Sequence, residues 1–150
     1  MGALAVGLLA LHLLAAVAWV GGIFFAYMAL RPASMLLDAP LRLGLWAATF
    51  GRFFPWVWGF IAVLLVSGHA LMGLAPPRGS LLAMAAIGWT MSLVFAYLYF
   101  VPFASLKRAV AASDTPAAAQ AMTRIRPVMA TNLALGLTAS ALGALHPVLG

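Results

Sequence analysis

Charged residues are scarce in this sequence. Only 7% of its 150 residues are charged, with 8 Lys+Arg against 2 Asp+Glu, whereas 66% are hydrophobic. A soluble domain normally has about a quarter of its residues charged. So few charges cannot cover a surface that faces water, and lipid is therefore the expected solvent for most of the chain.

Cysteine is absent altogether, which excludes disulfides, thiolate copper sites, iron–sulfur clusters and c-type haem attachment. The two acidic residues, Asp38 and Asp114, lie outside the long apolar runs, so no pair of carboxylates is available there for acid–base chemistry. The net charge of +6 does not indicate a nucleic-acid partner. The basic residues form short clusters between apolar runs, which is typical of membrane topology.

Four long apolar runs remain, each with about the 20 residues that cross a bilayer as a helix. We predict an all-α integral membrane protein with one domain, a four-transmembrane-helix bundle. The predicted spans are about residues 3–30, 54–75, 81–106 and 127–146. Short interfacial helices are expected in the first and third connections, the later one beginning at Asp114-Thr115-Pro116, which is typical of a helix start.

The basic residues predict the orientation. Seven of the eight flank the first and third connections: Arg31, Arg42, Arg52, Lys107, Arg108, Arg124 and Arg126. The second connection has only Arg78, and the termini have none. The positive-inside rule therefore places the first and third connections in the cytoplasm, with both termini outside (N-out/C-out).

Three histidines, His12, His69 and His146, fall in the outward half of this arrangement. At the helical rise, His12 lies about 13 Å and His69 about 8 Å from the outward surface, on antiparallel helices. Ionisable residues within a membrane are costly and are therefore candidates for function. Neutral imidazoles at matched depth suit the axial ligation of a haem iron or the coordination of copper.

Other residues are candidates to complete such a site. Trp19 follows His12 at helical spacing among small residues, and Met72 lies close to His69. Arg78 is placed to pair with haem propionates, and His146 to serve a second site or a metal entering from outside. The alternative for His12 and His69 is a hydrogen bond between helices, which is also the expected role of Asn132. The alternative for His146 is a residue at the membrane interface. Small residues at four-residue spacing, including Gly136 and Gly143, predict close helix packing in the bundle and also permit a homo-oligomer.

The segment Leu11-His12-Leu13-Leu14, Trp19-Val20-Gly21-Gly22 and Leu30-Arg31-Pro32 resembles the CopD family of bacterial inner-membrane proteins. Its histidine, with a tryptophan seven residues on and then a glycine pair, is also similar to the first helix of HemJ-type protoporphyrinogen oxidases. The CopD resemblance implies a multi-pass protein of the bacterial inner membrane with a role in copper uptake or resistance. The HemJ resemblance implies haem b, with His12 as a ligand. The HemJ resemblance also implies a requirement for a lysine in a later helix. The only lysine in this sequence, Lys107, lies at an inward helix end, so protoporphyrinogen oxidase activity is not expected.

Three hypotheses therefore remain. The first is a haem b protein with an electron-transfer or membrane oxidoreductase role, which would exchange electrons with a quinone or with an unknown redox partner. The second is a copper-binding or copper-transporting membrane protein, and the third is a structural subunit without a cofactor. A copper path should have ligands at successive depths, but the inward half offers only Asn132 and scattered methionines. The sequence therefore favours haem.

Overall fold

The computed structural model describes residues 2–74 and 79–149, with side chains up to residue 145. It confirms the predicted four-helix membrane bundle, since all four helices are long and apolar enough to cross a bilayer. We label them α1 (Ala3–Ser34), α2 (Ala39–Leu74), α3 (Gly79–Ala111) and α4 (Thr115–Leu149). The described part of the chain contains no strand.

Short connections make successive helices antiparallel, and α1 packs mainly on α2 while α3 packs mainly on α4. Residues 35–38 and 112–114 connect the helices at one end of the bundle, near which seven of the eight basic residues lie. We call this the basic end. The opposite end, reached by the first residues of α1 and the last residues of α2, is the histidine end.

Two of the helices contain a π-helical turn. In α1 it covers Ala26–Leu30, just before Pro32, and in α3 it covers Tyr99–Phe103, which includes Pro102. Proline lacks an N–H and its ring collides with the carbonyl four residues earlier, so it normally ends a helix. A wider turn relieves that collision. This explains why α1 continues to Ser34 although the sequence predicted its span to end at Leu30.

The connections differ from the prediction in one respect. α2 is a single helix through Pro55 and α4 a single helix through Pro127, so the expected interfacial helices are their first turns. With 36 residues, α2 is about 54 Å long, whereas the hydrocarbon core is about 30 Å thick. Its basic end therefore extends beyond the hydrocarbon. The predicted helix start is confirmed at Asp114, whose Oδ1 accepts a 2.9 Å hydrogen bond from the Ala117 amide.

A cluster of aromatic rings forms the core. Phe54 stacks on Phe50 with ring centroids 4.8 Å apart and meets Phe95 edge-on at 5.2 Å and Phe103 edge-on at 4.8 Å. Trp19 adds an edge contact to Phe95 at 6.2 Å. These rings join α1, α2 and α3 in the middle of the bundle and towards its basic end.

The histidine end has no such core. It comprises residues 3–14, 62–74, 79–90 and 137–145, and among these described side chains only Ser67 is buried. The buried apolar residues of the described chain all lie outside these four segments, in the middle of the bundle and towards its basic end. The bundle is thus closed by tight packing at one end and loosely packed at the other.

Close helix contacts occur at glycines. A Cβ on Gly22 would lie 2.3 Å from the Phe53 ring, and one on Gly136 would lie 2.7 Å from Val20. A Cβ on Gly143 would lie 3.2 Å from the end of Met84. The prediction that Gly136 and Gly143 allow close packing is therefore confirmed within the bundle.

We predict that Gly22→Ala lowers the free energy of unfolding by about 1–3 kcal/mol, because its new methyl group must displace the Phe53 ring. The matched control is Gly21→Ala, whose Cβ meets nothing within 4 Å. Thermal or denaturant unfolding of both variants in detergent measures the difference. Equal stabilities would show that the Gly22–Phe53 contact does not constrain the packing of α1 on α2.

Candidate functional site

His12 makes a hydrogen bond from α1 to α2. Its Nδ1 lies 2.8 Å from the Ser67 Oγ, and that hydroxyl donates its only proton to the Val63 carbonyl at 2.5 Å. The Nδ1 atom must therefore be the donor to Ser67, so it carries the ring proton. In the neutral imidazole, the Nε2 atom of His12 then holds the lone pair.

Gly68 allows the His12 ring to lie against α2. A Cβ at position 68 would come within 3.2 Å of the His12 Cε1 atom. Ser67 beside it is 3% exposed, while His12 is half-buried. The ring is thus held on one side by α2, with its Nδ1 atom anchored and its Nε2 atom not used in this contact.

His69 has the same tautomer for a different reason. Its Nδ1 lies 2.7 Å from the carbonyl oxygen of Leu65, which can only accept, so Nδ1 again carries the proton. The side chain is exposed, and its ring meets the Trp89 ring of α3 edge-on, with centroids 6.1 Å apart. Trp89 was not among the site residues predicted from the sequence. The position of Trp89 in the third span, ten residues after Gly79, could have indicated that it lies at the depth of His69.

The two histidines lie at similar depth, since His12 contacts positions 67 and 68 of α2 immediately before His69. Their rings, however, are directed to different neighbours. Positions 67 and 69 are separated by about 200° around a helix, so His12 lies on the α1 side of α2 while His69 faces Trp89 of α3. The structure thus provides two imidazoles on different faces of α2.

The remaining predicted site residues lie elsewhere or outside the description. Trp19 is buried in the aromatic core, seven residues or about 10 Å along α1 from His12. Met72 is half-buried one turn beyond His69. Arg78 lies outside the described residues, and so does the side chain of His146, whose backbone belongs to α4.

Asn132 makes the expected bond between helices. Its side chain is buried, and its Nδ2 atom donates to the Met91 carbonyl of α3 at 3.4 Å. This contact ties α4 to α3 in the middle of the bundle, well away from the histidines.

The chemistry available at the histidine end is that of separate imidazole ligands. Metal-binding histidines usually donate one ring N–H to a carbonyl or another acceptor and bind the metal through the other nitrogen. His12 and His69 both have this arrangement, with Nδ1 anchored. Among the described side chains, no group of three or more histidines and acidic residues could by itself hold a metal ion.

Comparison of the chain with protein-family models, with curated proteins and with solved structures finds no match.

A double-mutant cycle tests the contact between His12 and Ser67. We expect Ser67→Ala and His12→Ala to show a coupling energy of about 0.5–1.5 kcal/mol in the free energy of unfolding. Ser67 and His69, two residues apart on one helix, do not face each other and should show almost no coupling. Equal coupling in the two cycles would contradict the assigned contact.

Proposed function

We propose that the protein binds haem b in the bacterial inner membrane and has an electron-transfer role. In this proposal His12 would bind the haem iron through its Nε2 atom, and His69 would supply a second ligand position. The redox partner is a quinone or another protein. The observation that carries the proposal is the anchored Nδ1–H of both intramembrane histidines, which leaves each Nε2 lone pair for a metal.

The residues present fit such a group. Haem is a large flat apolar ligand, and the histidine end is the part of the bundle without buried apolar side chains. Gly68 removes a side chain beside the His12 ring, and Ser67 sets the orientation of that ring. When bound, haem would supply one-electron chemistry. His12 and His69, which lie on different faces of α2, would each offer a separate ligand position, and Ser67 would act as a positioning residue for His12.

The proposal includes an orientation. Seven of the eight basic residues lie near the basic end, and the positive-inside rule favours the cytoplasm for that end. The histidine end would then lie towards the periplasm, so that haem and a periplasmic partner would be near one another.

Histidine substitutions test the haem assignment. Purified His12→Ala protein should lose most of its haem, measured as haem per protein by pyridine haemochrome, and His69→Ala should lose haem or change the spectrum of the reduced protein. His146→Ala, at the end of α4, serves as the control with a smaller expected effect. Unchanged haem content and spectra in both His12→Ala and His69→Ala would refute the ligand assignment.

The positioning role of Ser67 has a separate signature. Ser67→Ala should retain haem but shift its reduction potential, because the imidazole loses the acceptor that orients it. Ser67→Thr, which keeps the hydroxyl, should restore the potential of the unmodified protein. A potential that is the same in all three proteins would contradict this role.

The orientation can be tested with single cysteines, since the chain contains none of its own. We expect a membrane-impermeant maleimide added to intact cells to label Gly2→Cys at the histidine end, and to label Ala112→Cys at the basic end only after lysis. Both positions are exposed. The reverse labelling pattern would place the histidine end in the cytoplasm.

Copper binding or copper transport is the second candidate, because an imidazole Nε2 is also a good copper ligand. It predicts copper in metal analysis of the purified, colourless protein. It also predicts that deletion of the gene changes cellular copper content whether or not haem is supplied. Haem in the protein together with unchanged cellular copper would exclude it.

A further inference from the structure

The seven basic residues near the basic end differ in whether they have a partner. Arg31 and Lys107 lie over aromatic rings, each with its charged group 5.0 Å from a ring centroid. Arg42 donates a hydrogen bond to a backbone carbonyl, and Arg108 donates one to a serine hydroxyl. The other three make no hydrogen bond, ring contact or ion pair with any described residue: Arg52, Arg124 and Arg126.

Arg126 differs from the other two unpartnered arginines in its burial. Its side chain is half-buried, whereas Arg52 and Arg124 are exposed. Met122 and Met129, one turn away on either side, are buried, so Arg126 lies at the edge of the packed face of α4. A guanidinium keeps its charge in proteins, and a charge that is partly removed from water is costly unless it is paired.

The nitrogen atoms of Arg126 show which part of the group can take a ligand. Its Nε atom is buried and has no hydrogen-bond partner among the described residues. The two terminal nitrogens make no hydrogen bond either, but they retain accessible surface, since they are not among the buried atoms without a partner. An acceptor that approaches from outside the bundle can therefore reach the terminal nitrogens.

The depth of Arg126 is that of a phospholipid head group. On α4, Gly136 packs against Val20 of α1. Ten residues separate Gly136 from Arg126, and eleven separate Val20 from Arg31, so each arginine lies about 15 Å from that contact, towards the basic end. Both arginines directly adjoin the predicted apolar spans of their helices. Two helices thus have a cation at the same depth, where the hydrocarbon meets the head groups.

We propose that Arg126 binds the phosphate group of an anionic phospholipid in the leaflet at the basic end. Its two terminal nitrogens donate to phosphate oxygens, a pairing that suits the planar guanidinium. The acyl chains of the lipid lie along the apolar surface of the bundle. This inference goes beyond the proposed haem function and does not depend on it, because the site lies at the opposite end of the bundle from His12 and His69.

Charge selects an anionic lipid over a zwitterionic one. A choline or ethanolamine head group brings a cation close to the phosphate, and Arg31 at the same depth adds to the positive potential that repels this cation. The head group of phosphatidylglycerol has a net negative charge and no such cation. Soluble phosphate lacks the acyl chains whose burial in the hydrocarbon keeps a lipid at this depth. The anionic phospholipid is therefore the ligand that fits both the charge and the position.

The test measures lipid binding to the unmodified protein in detergent by native mass spectrometry. The probes are dioleoyl phosphatidylglycerol and dioleoyl phosphatidylcholine, which have the same acyl chains and differ in the charge of the head group. We expect phosphatidylglycerol to bind about tenfold more tightly. Equal dissociation constants would overturn the proposal. Displacement of the lipid by an equal concentration of inorganic phosphate would also overturn it, since the ligand would then be a soluble anion. None of these outcomes bears on haem content.

A matched pair of substitutions locates the site. Arg126→Gln should weaken phosphatidylglycerol binding about tenfold and remove most of the preference over phosphatidylcholine, because the donors to the phosphate are lost. Arg124→Gln removes the same charge from an exposed position about 200° away around α4, and should change binding less than about twofold. Unchanged binding in Arg126→Gln, or equal losses in the two variants, would refute the assigned site.

Discussion

Helices in lipid gain little by burying apolar side chains against one another, because the acyl chains around them are equally apolar. The geometry of packing must therefore hold this bundle together, and Phe54 is its centre. Its ring contacts Phe50 on α2 and Phe95, Tyr99 and Phe103 on α3. Trp19 brings α1 to the same cluster through Phe95. Because these rings join three helices, the histidine end need not contribute a tightly packed core.

The histidines therefore lie in the part of the bundle that the aromatic core does not reach. The hydrogen bond between His12 and Ser67 and the contact of the His12 ring with Gly68 hold α1 on α2 where buried apolar side chains are missing. A polar contact in lipid is also a means of orienting an imidazole. The same Ser67 thus helps to hold the helices together and fixes which nitrogen of His12 is protonated.

Much of the fold could be predicted from the sequence. The apolar run lengths predicted four spans, and the helix start at Asp114 was correctly located because its capping side chain and the following proline act locally. The continuation of α2 through Pro55 was not predictable. Whether a proline ends a helix depends on the neighbouring helices and on π-helical turns such as Tyr99–Phe103, which tertiary packing decides.

The residues of the candidate site and their depth in the membrane could be predicted, but the helix face on which each histidine ring lies could not. Counting residues placed His12 and His69 at similar depth, whereas the face on which each ring lies depends on the rotation of α2 and on Trp89 of the next hairpin. Likewise, Asn132 was predicted to join helices, and it does so through Nδ2. Its Oδ1 atom has no hydrogen-bond partner among the described residues, a consequence of tertiary packing that residue spacing does not encode.

The most direct test of the central claim is the absorption spectrum of the unmodified protein, purified in detergent after expression with a haem precursor and recorded oxidised and then dithionite-reduced. If the protein binds haem b, the spectra will contain a Soret band and sharp reduced α and β bands, and the pyridine haemochrome will be that of haem b. A colourless protein under these conditions would contradict haem binding.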